Sequence, residues 1–268
     1  MLSNGVALTR RRIQRLVDAG LREVSVSLDS LDPETQDSLD NADGAHEKRL
    51  ENLLALAELL PRRGTLPLLN TVVTPRNVEQ LPRIVRFAER IGFHAALIPV
   101  HLAGDSDHRF YTDADELRFD AGLARRLHQV YAELLRMKRR GSPIINSSVF
   151  LERSPGYLIS GEASWPCRAG ELFVSVGPNG KVASCHHFEG TDDEVSYDRF
   201  EQTYFAPGYR EATRRKASGC EGCYRPCWTE ISYLVFDPRS LMEMTRVQLK
   251  NRLRPRRVDT NAIRELMR

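Results

Sequence analysis

Leu66-Pro67-Leu68-Leu69-Asn70-Thr71-Val72-Val73 is a near-continuous apolar run that stops at Thr74-Pro75. A run of this length with a proline breaker behind it reads as a strand. Its continuity is that of a parallel strand buried on both faces. Upstream, Glu23 to Leu28 (E-V-S-V-S-L) alternates as a second strand, and Leu2-Ser3-Asn4-Gly5 has the form of a strand end and turn. Between these, Thr9 to Ala19 carries Ile13, Leu16 and Val17 on one helical face with Gly20 as a stop, Pro33 opens a short helix, and His46 to Leu60 is an apolar helix ended by Pro61. Downstream, Asn77 caps a helix from Val78 to Ile91, Gly92 ends it, and Ala95 to Val100 is the next strand. The alternation predicts an α/β chain with a parallel sheet and right-handed crossovers. Ligands of such sheets sit at the C-terminal strand ends, which here are Ser3-Asn4, Ser27-Leu28-Asp29, Asn70 to Thr74 and Val100-His101.

Beyond a loop from His101 to Thr112, a long helix is expected over Asp113 to Arg140, and Gly141-Ser142-Pro143 marks a boundary. The expected domains are therefore residues 1–141 and 142–268, the second including terminal helices from Thr229 to Phe236, from Pro238 to about Leu253, and after Pro255. Residues 144–160 read as mixed.

All five cysteines of the 268-residue chain fall between Cys167 and Cys227. Cys167 and Cys185 flank a predicted hairpin, Leu172 to Val176 and Lys181 to Ser184, turning at Gly177-Pro178-Asn179-Gly180. Cys220, Cys223 and Cys227 form C-x-x-C-x-x-x-C, a spacing that can turn three sulfurs towards one point. Four or five converging thiols in a reducing compartment point to metal rather than to disulfides. By softness, zinc and an iron–sulfur cluster are both open. The 17 residues between Cys167 and Cys185 fit a wide cluster better than the paired C-x-x-C motifs of a zinc ribbon. His186 and His187 are expected beside the ligands or on the surface. The helix expected from Tyr209 to Lys216 would bring Arg210, Arg214, Arg215 and Lys216 near such a cluster.

Composition excludes some function classes. The net charge of +3 is too small to argue for nucleic acid. Basic residues concentrate from Arg239 to Arg268, nine Lys/Arg against three Asp/Glu, which reads as a solvated helix or a contact for an acidic partner. There is no apolar run of membrane-spanning length and no signal pattern at Met1, so a cytoplasmic protein is expected.

The stretches D-A-G-L-R-E-V-S-V-S-L-D-S-L-D-P-E, L-L-N-T-V-V-T-P-R-N-V-E-Q-L-P and A-L-I-P-V, in this order, resemble the second half of a radical S-adenosylmethionine (SAM) barrel. They look most like the cyclase of molybdenum-cofactor synthesis and its peptide-modifying relatives. The cysteine region resembles the SPASM or twitch extension of that superfamily, with Cys167, Gly180 and Cys185 matching its opening. The resemblance implies a partial, truncated barrel with a cysteine-rich extension that holds an auxiliary [4Fe–4S] cluster on four of Cys167, Cys185, Cys220, Cys223 and Cys227. It implies SAM contacts at Ser27, Asn70 and Val100. Leu68 stands where the molybdenum-cofactor cyclase has a basic group, which argues against a triphosphate substrate.

The family's C-x-x-x-C-x-x-C motif, which holds the SAM-cleaving cluster, does not occur in this sequence. The expectation is therefore the C-terminal part of a radical SAM oxidoreductase that modifies a peptide or small metabolite, inactive alone, with an electron-donor protein as a possible partner. The alternative is a non-catalytic, zinc-ribbon-like module that binds a peptide or protein.

Overall fold

The computed structural model describes residues 1–101, 115–161, 165–188, 194–220 and 223–268. A four-stranded parallel sheet runs β1 (Leu2–Ser3), β2 (Glu23–Ser27), β3 (Leu66–Val73), β4 (His94–Pro99), in that spatial order. The connections are α1 (Arg10–Asp18), then α2 (Pro33–Asp40) and α3 (Ala45–Leu59), then a 3₁₀ turn at Val78–Gln80 leading into α4 (Leu81–Arg90). Every pairing is parallel, as the strand–helix alternation requires.

Within β3, Pro67, Leu69, Thr71 and Val73 are buried while Leu66, Leu68, Asn70 and Val72 are half-buried. The strand is thus fully buried on one face and half-buried on the other, where Val72 still packs against the core. The other face is the inner side of the curved sheet. There Ser27, Asn70 and Ala96 share one register row.

The main core is formed by Val24, Val26, Leu69, Leu97 and the inward faces of α1, α3 and α4. The N-terminal segment is clamped to it by polar side chains of α3. Arg49, only 1% exposed, donates from Nε to the Asn4 carbonyl at 2.7 Å and from Nη2 to Asp40 at 2.6 Å. Asn52 donates to the carbonyls of Gly5 and Val6.

The outer edge of β4 is closed by residues 143–146. Ala95 N–H donates to the Pro143 carbonyl at 2.7 Å, and the Asn146 amide exchanges two hydrogen bonds with the backbone of Leu97. Asn146 thereby supplies what a neighbouring strand would.

The long helix is α5 (Ala121–Arg139), preceded by a 3₁₀ turn at Asp115–Leu117. The expected start at Asp113 lies outside the described residues. A helix that sequence periodicity does not reveal follows, α6 (Ser148–Ser160), capped by the Ser147 hydroxyl. Leu151 and Leu158 of α6 enter the main core, while Val149, Phe150 and Tyr157 enter a second one with Tyr224 and Tyr233. The remainder is a small antiparallel sheet of β5 (Ser175–Val176), β6 (Lys181–Ala183) and β7 (Val195–Ser196), followed by α7 (Tyr197–Tyr204), α8 (Tyr209–Ser218), α9 (Pro226–Phe236), α10 (Pro238–Leu253) and α11 (Asn261–Leu266). The hairpin turns at 177–180 as the Asn-Gly signal indicates, but its first arm is only Ser175–Val176 rather than Leu172 to Val176, and a third strand is added. Among the described residues no helix is long and apolar enough to cross a membrane.

Candidate metal centre and strand-end mouth

Three separate segments build one cavity of about 70 Å³ whose lining includes Cys167, Cys185, Cys220 and Cys223, with Phe173 and Trp228 as apolar walls. Cys167 lies two residues before the turn closed by the Ala169–Phe173 bridge, which leads to β5. Cys185 lies immediately after β6. Cys220 ends the turn behind α8, and Cys223 precedes α9.

Gly170 makes the approach of the first and third segments possible. It has φ +79°, and a Cβ there would meet Thr213 Cγ2 of α8 at 2.7 Å and Ser184 Cβ at 3.1 Å. The left-handed backbone and the close helix both require glycine. Cys223 is held from behind: Trp165 Nε1 donates to its carbonyl at 2.6 Å, and Tyr224 stacks on Phe150 and donates to the Phe150 carbonyl.

Burial pushes the Cys185 and Cys223 thiols up to about 12, and raises Cys167 and Cys227 as well. Arg225 opposes that shift at Cys185, Cys223 and Cys227, and Arg168 opposes it at Cys167. Of the basic residues expected from α8, Arg214 pairs with Glu171 and Arg215 with Glu211, while Lys216 lies over the ring of Phe188, a lining residue of the cavity. His186 Nδ1 is 3.6 Å from Cys185 Sγ, and the His186 ring lies 4.1 Å from that of Trp228. His187 lines the cavity. Cys220 and Cys227 are the two exposed cysteines; Cys220 lines the cavity, whereas Cys227, in the first turn of α9, is not among its lining residues. Among the described residues no three His, Cys, Asp or Glu are drawn together as ligands of a metal ion. The chemistry of the four-thiol set is nevertheless that of a soft-metal site.

The strand-end mouth has a different character. Ser27 and Asn70 are Cα partners on the open face. Val100 lies four residues beyond Ala96, the partner of Asn70, or about 13 Å further along the strand direction at the usual rise. Its N–H donates to the Val73 carbonyl, and its side chain is buried in the main core. The structure therefore brings two of the three expected SAM-contact residues together and sets the third higher on the rim.

Sequence reasoning passed over Asp29 as a ligand or an acid. It is half-buried just beyond β2 and accepts from Val72 N–H at 2.6 Å. Asn77, beside it, donates to the carbonyls of both Asp29 and Val72 and accepts from Thr74 N–H. Burial raises the Asp29 carboxyl to about 6, with Asp40 adding to the shift and Val72 and Arg49 opposing it. The neutral acid is favoured in the folded state, so this group contributes stability below about pH 4 that is lost as pH rises through 6. Asp29→Asn keeps an acceptor for Val72. It should be more stable than the parent at pH 7.5 by on the order of 2 kcal/mol, with the gap closing at pH 4. Urea midpoints at the two pH values measure this, and an equal gap at both would refute the assignment.

An aromatic line joins the mouth to the cysteines. His101, after β4, lies 5.7 Å from the Tyr157 ring, which lies 5.5 Å from Tyr224, the residue after Cys223. Burial drives His101 down to about 3, so its ring is neutral.

Comparison with known proteins matches residues 1–88 to the Radical SAM superfamily. An AdoMet-dependent heme synthase of Methanosarcina barkeri is 30% identical over 112 residues, 40% of this chain and 31% of that protein. PqqA peptide cyclases of Granulibacter bethesdensis and Bradyrhizobium diazoefficiens are 25% and 28% identical, each over 70% of this chain and 47% and 46% of their own length. The crystal structure of Streptococcus suis SuiB, also solved with S-adenosylmethionine bound, superposes with a TM-score of 0.55 at 16% identity. It covers 89% of this chain and 57% of SuiB. The fold is thus shared with SuiB, and the chain spans about half the length of the peptide cyclases, or less of the heme synthase.

Proposed function

Residues 1–88 being radical SAM sequence on a parallel half-barrel sheet, we propose that this chain is the C-terminal part of a radical SAM enzyme that modifies a peptide, and that its cysteine region holds an auxiliary [4Fe–4S] cluster. The observation that carries the second statement is the four-thiol cavity. The wide spacing of these cysteines along the chain, 17 residues between Cys167 and Cys185, suits a multi-iron cluster, which takes ligands from distant segments. The peptide substrate rests on the likeness to the PqqA peptide cyclases.

In this reading Cys167, Cys185, Cys220 and Cys223 are the ligands, and Cys227 is the cysteine left over. When bound, the cluster supplies a one-electron relay or an iron open to substrate. The chain's own residues do the rest. Arg225 offsets the negative charge that four thiolates bring, and Phe173 and Trp228 keep water from the sulfurs. His186 offers or accepts a proton at Cys185 Sγ. Ser27 and Asn70 present a hydroxyl and an amide at the mouth for SAM, and Val100 forms its rim. The His101–Tyr157–Tyr224 line packs the segment after β4 against the residue that follows Cys223.

Anaerobic reconstitution of the chain with iron and sulfide tests the reading. It should give brown protein with about four irons and four sulfides per chain. Colourless protein holding one zinc would overturn it in favour of a zinc module. By itself the chain should bind SAM weakly, because Ser27, Asn70 and Val100 form one wall of a pocket. Sub-micromolar affinity in calorimetry would refute that.

A further inference from the structure

A second and larger cavity, about 600 Å³, lies at the opposite end of the sheet, where β4 begins. One wall is His94, the first residue of β4. Another is the end of α10 and the segment after it: Lys250, Asn251, Arg254, Arg256 and Arg257. This segment is fastened to the main domain. Arg256 N–H donates to the Arg62 carbonyl at 2.7 Å, Asp259 N–H donates to the Arg90 carbonyl at 2.8 Å, and Arg90 pairs with Asp259 and Glu265. Gly92 lets the segment pass. Its φ is +74°, and a Cβ there would stand 2.5 Å from the Arg257 carbonyl oxygen.

Four cations line this cavity, and the one carboxylate among them is Glu89, which accepts from Ser142 Oγ. The Arg256 guanidinium spends its donors on Thr65 and on the carbonyls of Leu60, Pro61 and Gly92, and its charge meets no carboxylate. Burial and the charge of Arg62 lower it to about 10. Two buried polar side chains lie in the cavity's wall, each only 8% exposed, and His94 Nδ1 and Asn251 Nδ2, both beneath the surface, have no partner among the described residues. Burial pushes His94 down to about 4, and the charges of Lys250, Lys138 and Arg256 add to the shift. Lys138 is itself paired with Glu243. An excess of positive charge around unfilled hydrogen-bonding groups is the signature of a missing anion.

We propose that this cavity is a binding site for an organic diphosphate, separate from the strand-end mouth and from the thiols. Lys250, Arg254 and Arg257 would take the phosphate oxygens at the rim, since guanidinium forks and an ammonium suit phosphate and their combined charge calls for more than one negative unit. Asn251 and His94 would lie behind these cations in the wall, and Pro143 and Pro255 would pack on the organic body. The basic excess of the C-terminal region then has a ligand rather than only solvent.

Titration calorimetry of the full chain with inorganic pyrophosphate, ADP and citrate at equal ionic strength tests this. Pyrophosphate and ADP should bind saturably and more tightly than citrate. Lys250 and Arg254 are exposed, so Lys250→Gln/Arg254→Gln should fold normally while weakening both phosphates about tenfold or more. Arg15→Gln, an exposed cation on α1, should change nothing. The His94 ring resonances should shift on addition of pyrophosphate to the parent and not to the double variant. No saturable binding, binding unaltered in the double variant, or citrate binding tighter than pyrophosphate would each overturn the proposal. None of these outcomes depends on iron.

Discussion

Cys185→Ala is expected to lose essentially all the iron that the reconstituted parent holds, whereas Cys227→Ala keeps it. Both residues are in the cysteine region, and the sequence does not distinguish them. The structure does, because Cys185 is buried in the wall of the cavity and Cys227 is exposed outside its lining. Stability should separate in the same way. Without metal the Cys185 thiol is neutral and behaves as a small apolar group, so Cys185→Ala in the iron-free chain should cost on the order of 1 kcal/mol. In the reconstituted chain the loss should be several times larger, because cluster binding is also folding energy. Iron and sulfide analysis with parallel urea melts measures both. Equal losses of iron in the two variants would remove the four-ligand assignment.

Arg49→Met should destabilise the sheet domain by about 3 kcal/mol or more. The guanidinium is buried and serves two clients, the Asn4 carbonyl and the Asp40 carboxylate. Methionine fills most of the volume, so the loss is one of partners and not of packing. Asp40 is 22% exposed and can recover some hydration, which places the effect at the lower end for a broken buried pair. Arg49→Met/Asp40→Asn should regain part of it, the Asn4 carbonyl remaining unserved. A double variant no better than Arg49→Met would mean that the carboxylate is not what suffers.

The sheet was legible because its strands and helices keep separate periods and are punctuated by Pro33, Pro61, Pro75 and Gly92. The hairpin was legible from Asn179-Gly180. The helix α6 was not, for two physical reasons. It is buried on two sides, between the cores entered by Leu151 and by Phe150, and its exposed stripe mixes Glu152 and Arg153 with Gly156 and Ile159, which blurs the polar period. It also carries Pro155 in its interior, normally a breaker. The half-burial of the second face of β3 was hidden as well, since an apolar run does not reveal what lies opposite it. Within the thiol site, the residue types were visible and their division was not. The exclusion of Cys227 and the role of Arg225 depend on where the first turn of α9 falls, which spacing alone leaves open. Asp29 reads as an ordinary strand-end acid until the lattice of Val72 and Asn77 around it is seen.

The position of α6 has a thermodynamic consequence. One beam carries two cores, and they differ in what completes them. The sheet core is apolar throughout, while the second abuts a cavity of thiols that a metal would knit together. Two cooperative units that share a helix need not open together. In the iron-free chain the cysteine region can loosen while the sheet stays folded, and a single melting temperature would then describe neither unit. With the cavity filled, loosening it would also break bonds to metal, and the helix would couple that resistance to the sheet.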